Sequence, residues 1–211
     1  MVANDFETLQ ASGVGLTNEF GDAYAQRTPL TTTFTPGQAA GQLQVIAEAI
    51  SLRNVLGVSR QVFFVGMGGF DTHSAQANSL PGLQTQIANG IRDFRNAMVE
   101  LGVWDDVTLF TAADFGRTMN DNGDGTDHGW AGHHFVAGGS VRGQRVYGGF
   151  PDSDIASQDY TDDRGRLIPS VSVEQYAATL GSWFGLTDAE LRSALPNLAN
   201  FNSANLGFMQ A

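Results

Sequence analysis

The chain has 211 residues, 42% hydrophobic and 16% charged, which describes a folded protein with one full core or two small ones. Its net charge is −11, all eleven basic residues are arginines, and it contains no cysteine. This balance argues against nucleic acid and anionic lipid as partners, and it excludes disulfides, thiolate nucleophiles and cysteine-type zinc sites.

Residues 1–37 read as an extended N-terminal segment, with RTPLTTTFTPG as a connector, and 38–211 as a single α/β domain. The segment MVANDFETLQ lacks the basic region and apolar core of a signal peptide. No apolar run approaches the ~18 residues that span a bilayer, so no membrane span is expected. A helix is predicted from Gln38 to Leu56, with Leu43, Ile46, Ala47 and Ile50 on one face. The apolar run QVFFV (61–65) predicts a strand buried on both sides. Leu83, Ile87, Ile91, Phe94, Met98 and Leu101 recur at helical spacing, with Pro81 near the start of that helix. DVTLFTA (106–112) reads as a second buried strand. Strand, helix and strand make a βαβ unit, which implies parallel pairing. Residues 114–132 read as a long loop, HFVAGG as a further strand and 151–168 as a surface loop. Two closing helices each carry a capping box, Ser172 with Gln175 and Thr187 with Glu190.

Parallel α/β sheets bind ligands beyond the carboxyl ends of their strands. Asp71 and His73 follow the first predicted strand, and Asp114 follows the second. Residues two apart in extended backbone face the same way, so Asp71 and His73 can reach one ion. An Asx-turn aspartate followed by a capping histidine is the plainer alternative. Asp127 and His128 are either ligands or members of a loop rich in turn formers. Of His133 and His134, one is expected to face the site and the other to pack. Arg117 is a candidate to grip an anionic substrate through its guanidinium fork, or to form an ordinary ion pair. The loop from Asn120 does not make an EF-hand, because Ala131 stands where the bidentate glutamate belongs. GMGG lacks the spacing of a phosphate-binding loop, and no G-x-S-x-G supports a serine hydrolase.

In combination the motifs are more specific. QVFFVGMGGFDTH, LFTAADFGRT, NGDGTDHGW, HHFVAGGSVRGQRVYG and RLIPSVSVEQYAATL occur in that order from Gln61 to Leu180. The chain closely resembles a bacterial family marked by GG(W/F)DTH, (E/D)FGRT and GTDHG segments, placed in the alkaline phosphatase and sulfatase superfamily. The resemblance implies an α/β fold with a mostly parallel sheet flanked by helices, and a hydrolytic centre holding divalent Zn, Mn, Mg or Ca. It implies metal ligation by Asp71 and His73, by Asp127 and His128, and by His133 or His134; Asp114, beyond the second predicted strand, is a candidate further ligand or orienter. Arg117 would neutralise the oxygens of a phosphate or sulfate ester; a catalytically silent binding or assembly protein is the alternative. The chain is similar to the family's C-terminal half alone. This implies that a second chain, or the missing N-terminal half, covers the sheet. Relatives with export leaders imply a periplasmic or secreted location.

Overall fold

The computed structural model describes residue 15 and residues 17–210, and these divide into two compact units. The first comprises the described residues up to Met67 together with Gln86–Gly102. It holds helix α1 (17–25), helix α2 (Gln38–Ser51) and the later turns of helix α3 (Gln76–Glu100). The expected extended segment therefore contains a helix. Leu43, Ala47 and Ile50 of α2 are buried, as are Phe94, Ala97 and Met98 of α3. The helices approach closely at Gly90, where an added Cβ would stand 3.1 Å from Leu43 Cδ1. The chain ahead of α2 is strapped to α3 by carboxylates. Glu100 accepts the backbone N–H groups of Thr31 and Thr32 at 2.6 and 2.8 Å, and Asp93 accepts that of Thr35 at 2.7 Å. These bonds, that of Thr31 foremost, hold the Glu100 carboxyl at a pKa of about 2.

The expected strand at 61–65 is not formed. The segment has no ladder partner among the described residues, and Val62 and Phe64 are 80% and 90% exposed. Just beyond it, the Gln42 side-chain amide both donates to the Gly66 carbonyl and accepts the Gly66 N–H.

The second unit comprises Gly68–Thr85 and Val103–Ala211 as far as residue 210. Its strands form two antiparallel pairs. Strand β1 (Thr108–Phe110) pairs with β4 (Val136–Gly138), and β2 (Gly116–Asp121) pairs with β3 (Thr126–Gly129). The expected mostly parallel, alkaline-phosphatase-like sheet is thus replaced by two small antiparallel ones. The predicted strand at HFVAGG exists as β4, but it turns back on β1 as its antiparallel partner. The expected loop 114–132 is largely the β2–β3 hairpin. Helix α4 (Val173–Phe184) and helix α5 (Asp188–Ala194) both start with the capping boxes foreseen. They pack with a short 3₁₀ turn (Pro196–Asn200) around Ala178, Leu191 and Leu198. No described helix is long and apolar enough to cross a membrane.

Candidate metal centre

The β2–β3 hairpin is polar, so side chains rather than apolar alternation hold it together. The Thr118 hydroxyl accepts the Asp127 N–H at 3.1 Å where the register is irregular. Arg117 Nε donates to Thr126 Oγ1 at 2.9 Å, and Arg117 Nη2 donates to the Thr126 carbonyl. The turn is closed by Asn122, whose Oδ1 accepts the Gly125 N–H at 3.0 Å.

Segment 72–76 lies along this turn. Thr126 N–H donates to the Thr72 carbonyl at 3.2 Å, Gln76 N–H to the Asp124 carbonyl at 3.1 Å, and Ala75 N–H to the Asp124 carboxylate at 2.9 Å. The approach is close enough to require glycine at 125, because a Cβ there would stand 2.3 Å from the Thr72 oxygen. Gln76 Oε1 accepts the hydroxyls of Thr72 and Thr126, locking segment and hairpin together.

This docking carries Asp71 and His73 to the hairpin. Arg117 and His128 are directly opposed across β2 and β3, so both side chains project from one face. They meet on Asp71 Oδ1: His128 Nε2 lies 2.7 Å away, Arg117 Nη1 2.9 Å and His73 Nε2 3.0 Å. The His128 contact, supported by Arg117 and His73 against some desolvation, holds the Asp71 carboxyl below the usual carboxylate range. Asp71, His73 and His128 each offer one ligand atom, all within 4.8 Å of one another, and this is the one such group among the described residues.

The surroundings orient both imidazoles. Asp127 Oδ1 lies 3.5 Å from His73 Nδ1, the arrangement in which a carboxylate fixes the far nitrogen and leaves Nε2 for a metal. Asp127 is itself held by Asn122 Nδ2 at 3.1 Å and by Arg164 Nη1 at 3.0 Å. Asn122, with His73 and Arg164 assisting, keeps its carboxyl ionised below the ordinary value. Phe115 stacks on the His128 ring at 4.1 Å and 8°, and Arg166 Nε donates to the His128 carbonyl.

A family described as "Protein of unknown function (DUF1501)" matches residues 17–196, a span that includes every residue of this centre. The chain belongs to the DUF1501 family. No curated protein and no solved structure matches it.

Of the residues foreseen as metal ligands, Asp71, His73 and His128 come together in this DUF1501 chain, with Asp127 behind His73. The other three lie outside the group. Asp114 is exposed in the bend before β2. His133 faces Phe150 at 5.6 Å, and His134 stacks on Tyr176 at 5.9 Å with Nδ1 3.4 Å from Thr111 Oγ1. Arg117, foreseen as the substrate's cation, is bonded instead to Asp71 and Thr126. Sequence reasoning missed Phe115, Asn122, Arg164 and Arg166. Phe115 was within reach, since it precedes Arg117 in the very motif singled out; the arginines sit in a polar stretch with no periodic signal. A cleft of about 550 Å³ adjoins the hairpin, lined by Leu80, Pro81, Asp121, Asp124 and Thr126 among others, and none of the three ligand candidates lines it.

Proposed function

We propose that this chain binds a divalent cation through Asp71, His73 and His128 and hydrolyses phosphate or sulfate esters there. The observation that carries the reading is the convergence of one carboxylate and two imidazoles within 4.8 Å. Two nitrogens and an anionic oxygen suit Zn, Mn and related ions, and three protein ligands leave room for water or substrate. What supports the reading is this donor set and its orienting partners, not the sheet. A bound divalent ion would supply charge to polarise an ester oxygen and to lower the pKa of an attacking water.

The chain's own residues have separable parts. Asp71 provides the negative charge. Asp127 takes the far edge of His73, while Phe115 fixes the plane of His128. Arg117 is a strut that ties Asp71 to Thr126. Two hydroxyls flanking residues of the centre, those of Thr72 and Thr118, are buried and already donate, to Gln76 Oε1 and to the Asn120 carbonyl. Neither is poised to attack; in this reading the nucleophile is a solvent oxygen.

The test is metal content of the purified chain by inductively coupled plasma mass spectrometry, followed by turnover of aryl phosphates and aryl sulfates. Stoichiometric metal and metal-dependent turnover are expected, both lost in His128→Ala; turnover unaffected by that substitution sinks the reading. A second reading, a catalytically silent assembly protein, is favoured by the uncovered apolar segment 61–65, a surface suited to a covering chain. It predicts stabilisation by metal with no ester turned over.

A further inference from the structure

What a metal centre attracts depends on the charge around the ion as well as on its ligand atoms. Three carboxylates and three guanidiniums are bonded to the groups of this centre, and they pair off one to one. Arg117 Nη1 lies 2.9 Å from Asp71 Oδ1, and Arg164 Nη1 lies 3.0 Å from Asp127 Oδ2. Arg166 donates Nη1 to Asp162 and Nε to the His128 carbonyl. The imidazoles of His73 and His128 would bind a metal in their neutral form. The six charges therefore cancel before any cation arrives. Asp121 and Asp124 of the same hairpin line the adjoining cleft, which none of the three ligand candidates lines.

This pairing is built into the fold. Asn120 N–H donates to the Arg164 carbonyl at 3.3 Å and Met119 N–H to the Gly165 carbonyl at 3.0 Å, so β2 holds the arginine segment against the hairpin. Asp162 Oδ1 accepts the Arg164 N–H at 3.1 Å and closes that segment on itself. A divalent ion at Asp71, His73 and His128 would thus add two positive charges to a neutral set. The three ligand side chains are 48–56% exposed, so an anion can reach the ion from solvent.

We propose that the centre is built for a dianion and selects phosphate monoesters, which carry two negative charges, over sulfate monoesters, which carry one. The proposal rests on the metal-dependent reading above and narrows its substrate class. Arg117, Arg164 and Arg166 need not touch substrate: each cancels the carboxylate beside it and leaves the charge of the ion for the ester. By linkage, metal and dianion tighten each other's binding, by roughly 5- to 150-fold in the usual range.

The experiment is calorimetric titration of the Mn²⁺-saturated full chain with phenylphosphonate and with benzenesulfonate. At about pH 8 the two share a shape and differ by one charge. The phosphonate should bind at least about 10-fold tighter, and the metal-free chain should bind neither. A phosphonate is also the better Mn²⁺ ligand in water, so two variants decide where the preference comes from. Arg164→Gln uncovers the Asp127 charge and should lower the ratio of the two affinities about two- to threefold. Asp162→Asn keeps an acceptor for the Arg164 N–H but uncovers the Arg166 charge, and should raise that ratio by a similar factor. Arg164 also holds Asp127, so Mn²⁺ affinity itself should fall in Arg164→Gln; the ratio, taken at Mn²⁺ saturation, is free of that loss. A wild type without preference, or ratios that do not move in opposite directions, overturns the charge-balance assignment and leaves the metal reading standing. No Mn²⁺ uptake by the wild type overturns the metal reading, and the assignment falls with it.

Discussion

His73 and His128 lie with their rings 4.9 Å apart over a shared aspartate, whereas His133 and His134, only a few residues beyond His128, face the rings of Phe150 and Tyr176. All four histidines sit near glycines in the chain, yet among the described residues only the first two have a carboxylate at a ring nitrogen. The difference lies in what delivers each ring. The hairpin register puts His128 beside Arg117, and the backbone bonds from Thr126 and Asp124 bring His73 alongside. His134 is delivered by β4 toward α4, where Tyr176 donates its hydroxyl to the Thr111 carbonyl at 3.2 Å. Convergence on Asp71 and packing against aromatic rings are thus separated by register, not by local composition.

The sharpest way to break this contrast is to delete one ring from each side. His128→Ala should weaken Mn²⁺ or Zn²⁺ binding by at least about 100-fold, since loss of a mere outer partner costs roughly 10- to 100-fold. His133→Ala should leave metal affinity unchanged in the same titration. Equal losses in both variants would mean that the two histidine groups act as one dispersed site.

A smaller effect tests the orienting ring. Phe115→Leu keeps an apolar side chain but removes the flat face lying parallel to His128. Metal affinity should fall roughly threefold to tenfold, the worth of an aromatic pair, and Phe115→Tyr should restore most of it. On the packing side, Tyr176→Phe removes the donor to Thr111. It should cost about 0.5–1.5 kcal/mol in a denaturant melt with no change in metal affinity.

Much of the centre was legible from residue types, because metal chemistry needs Asp and His and the chain has few histidines to offer. Helix α3 was legible through the periodicity of Leu83 to Leu101, although Pro81 sits inside the helix rather than at its first turn. The two C-terminal capping boxes were legible because each is a local hydrogen-bond pattern. The strands were not. QVFFV reports a segment that suits burial, but composition cannot supply the partner that buries it, and Phe64 stands in solvent. The β2–β3 hairpin escaped notice for the opposite reason: Arg117, Thr118 and Thr126 hold it by side-chain bonds, so it shows no apolar alternation. Arg164 lies 37 positions beyond Asp127 in a polar stretch and reaches it only through backbone bonds to β2.

The smallest expected effect sharpens the packing side by pH. Partial desolvation of His134 against Tyr176, reinforced by the charge of His133, lowers its pKa from the ordinary 6.5. As pH falls, the unfolded chain takes up this proton first, so the unfolded state binds more protons and stability rises with pH across the interval. The penalty begins as pH drops through about 6.5 and is complete below the folded value. His134→Gln removes the titration and should flatten that part of the Tm–pH curve, measured with chelator present so that metal binding does not contribute. Because part of the ring remains in solvent, the difference between the two curves at pH 5 should be about a degree or two. Coincident curves would show that Tyr176 does not shield the ring, and the contrast between the two pairs of histidines would then rest on register alone.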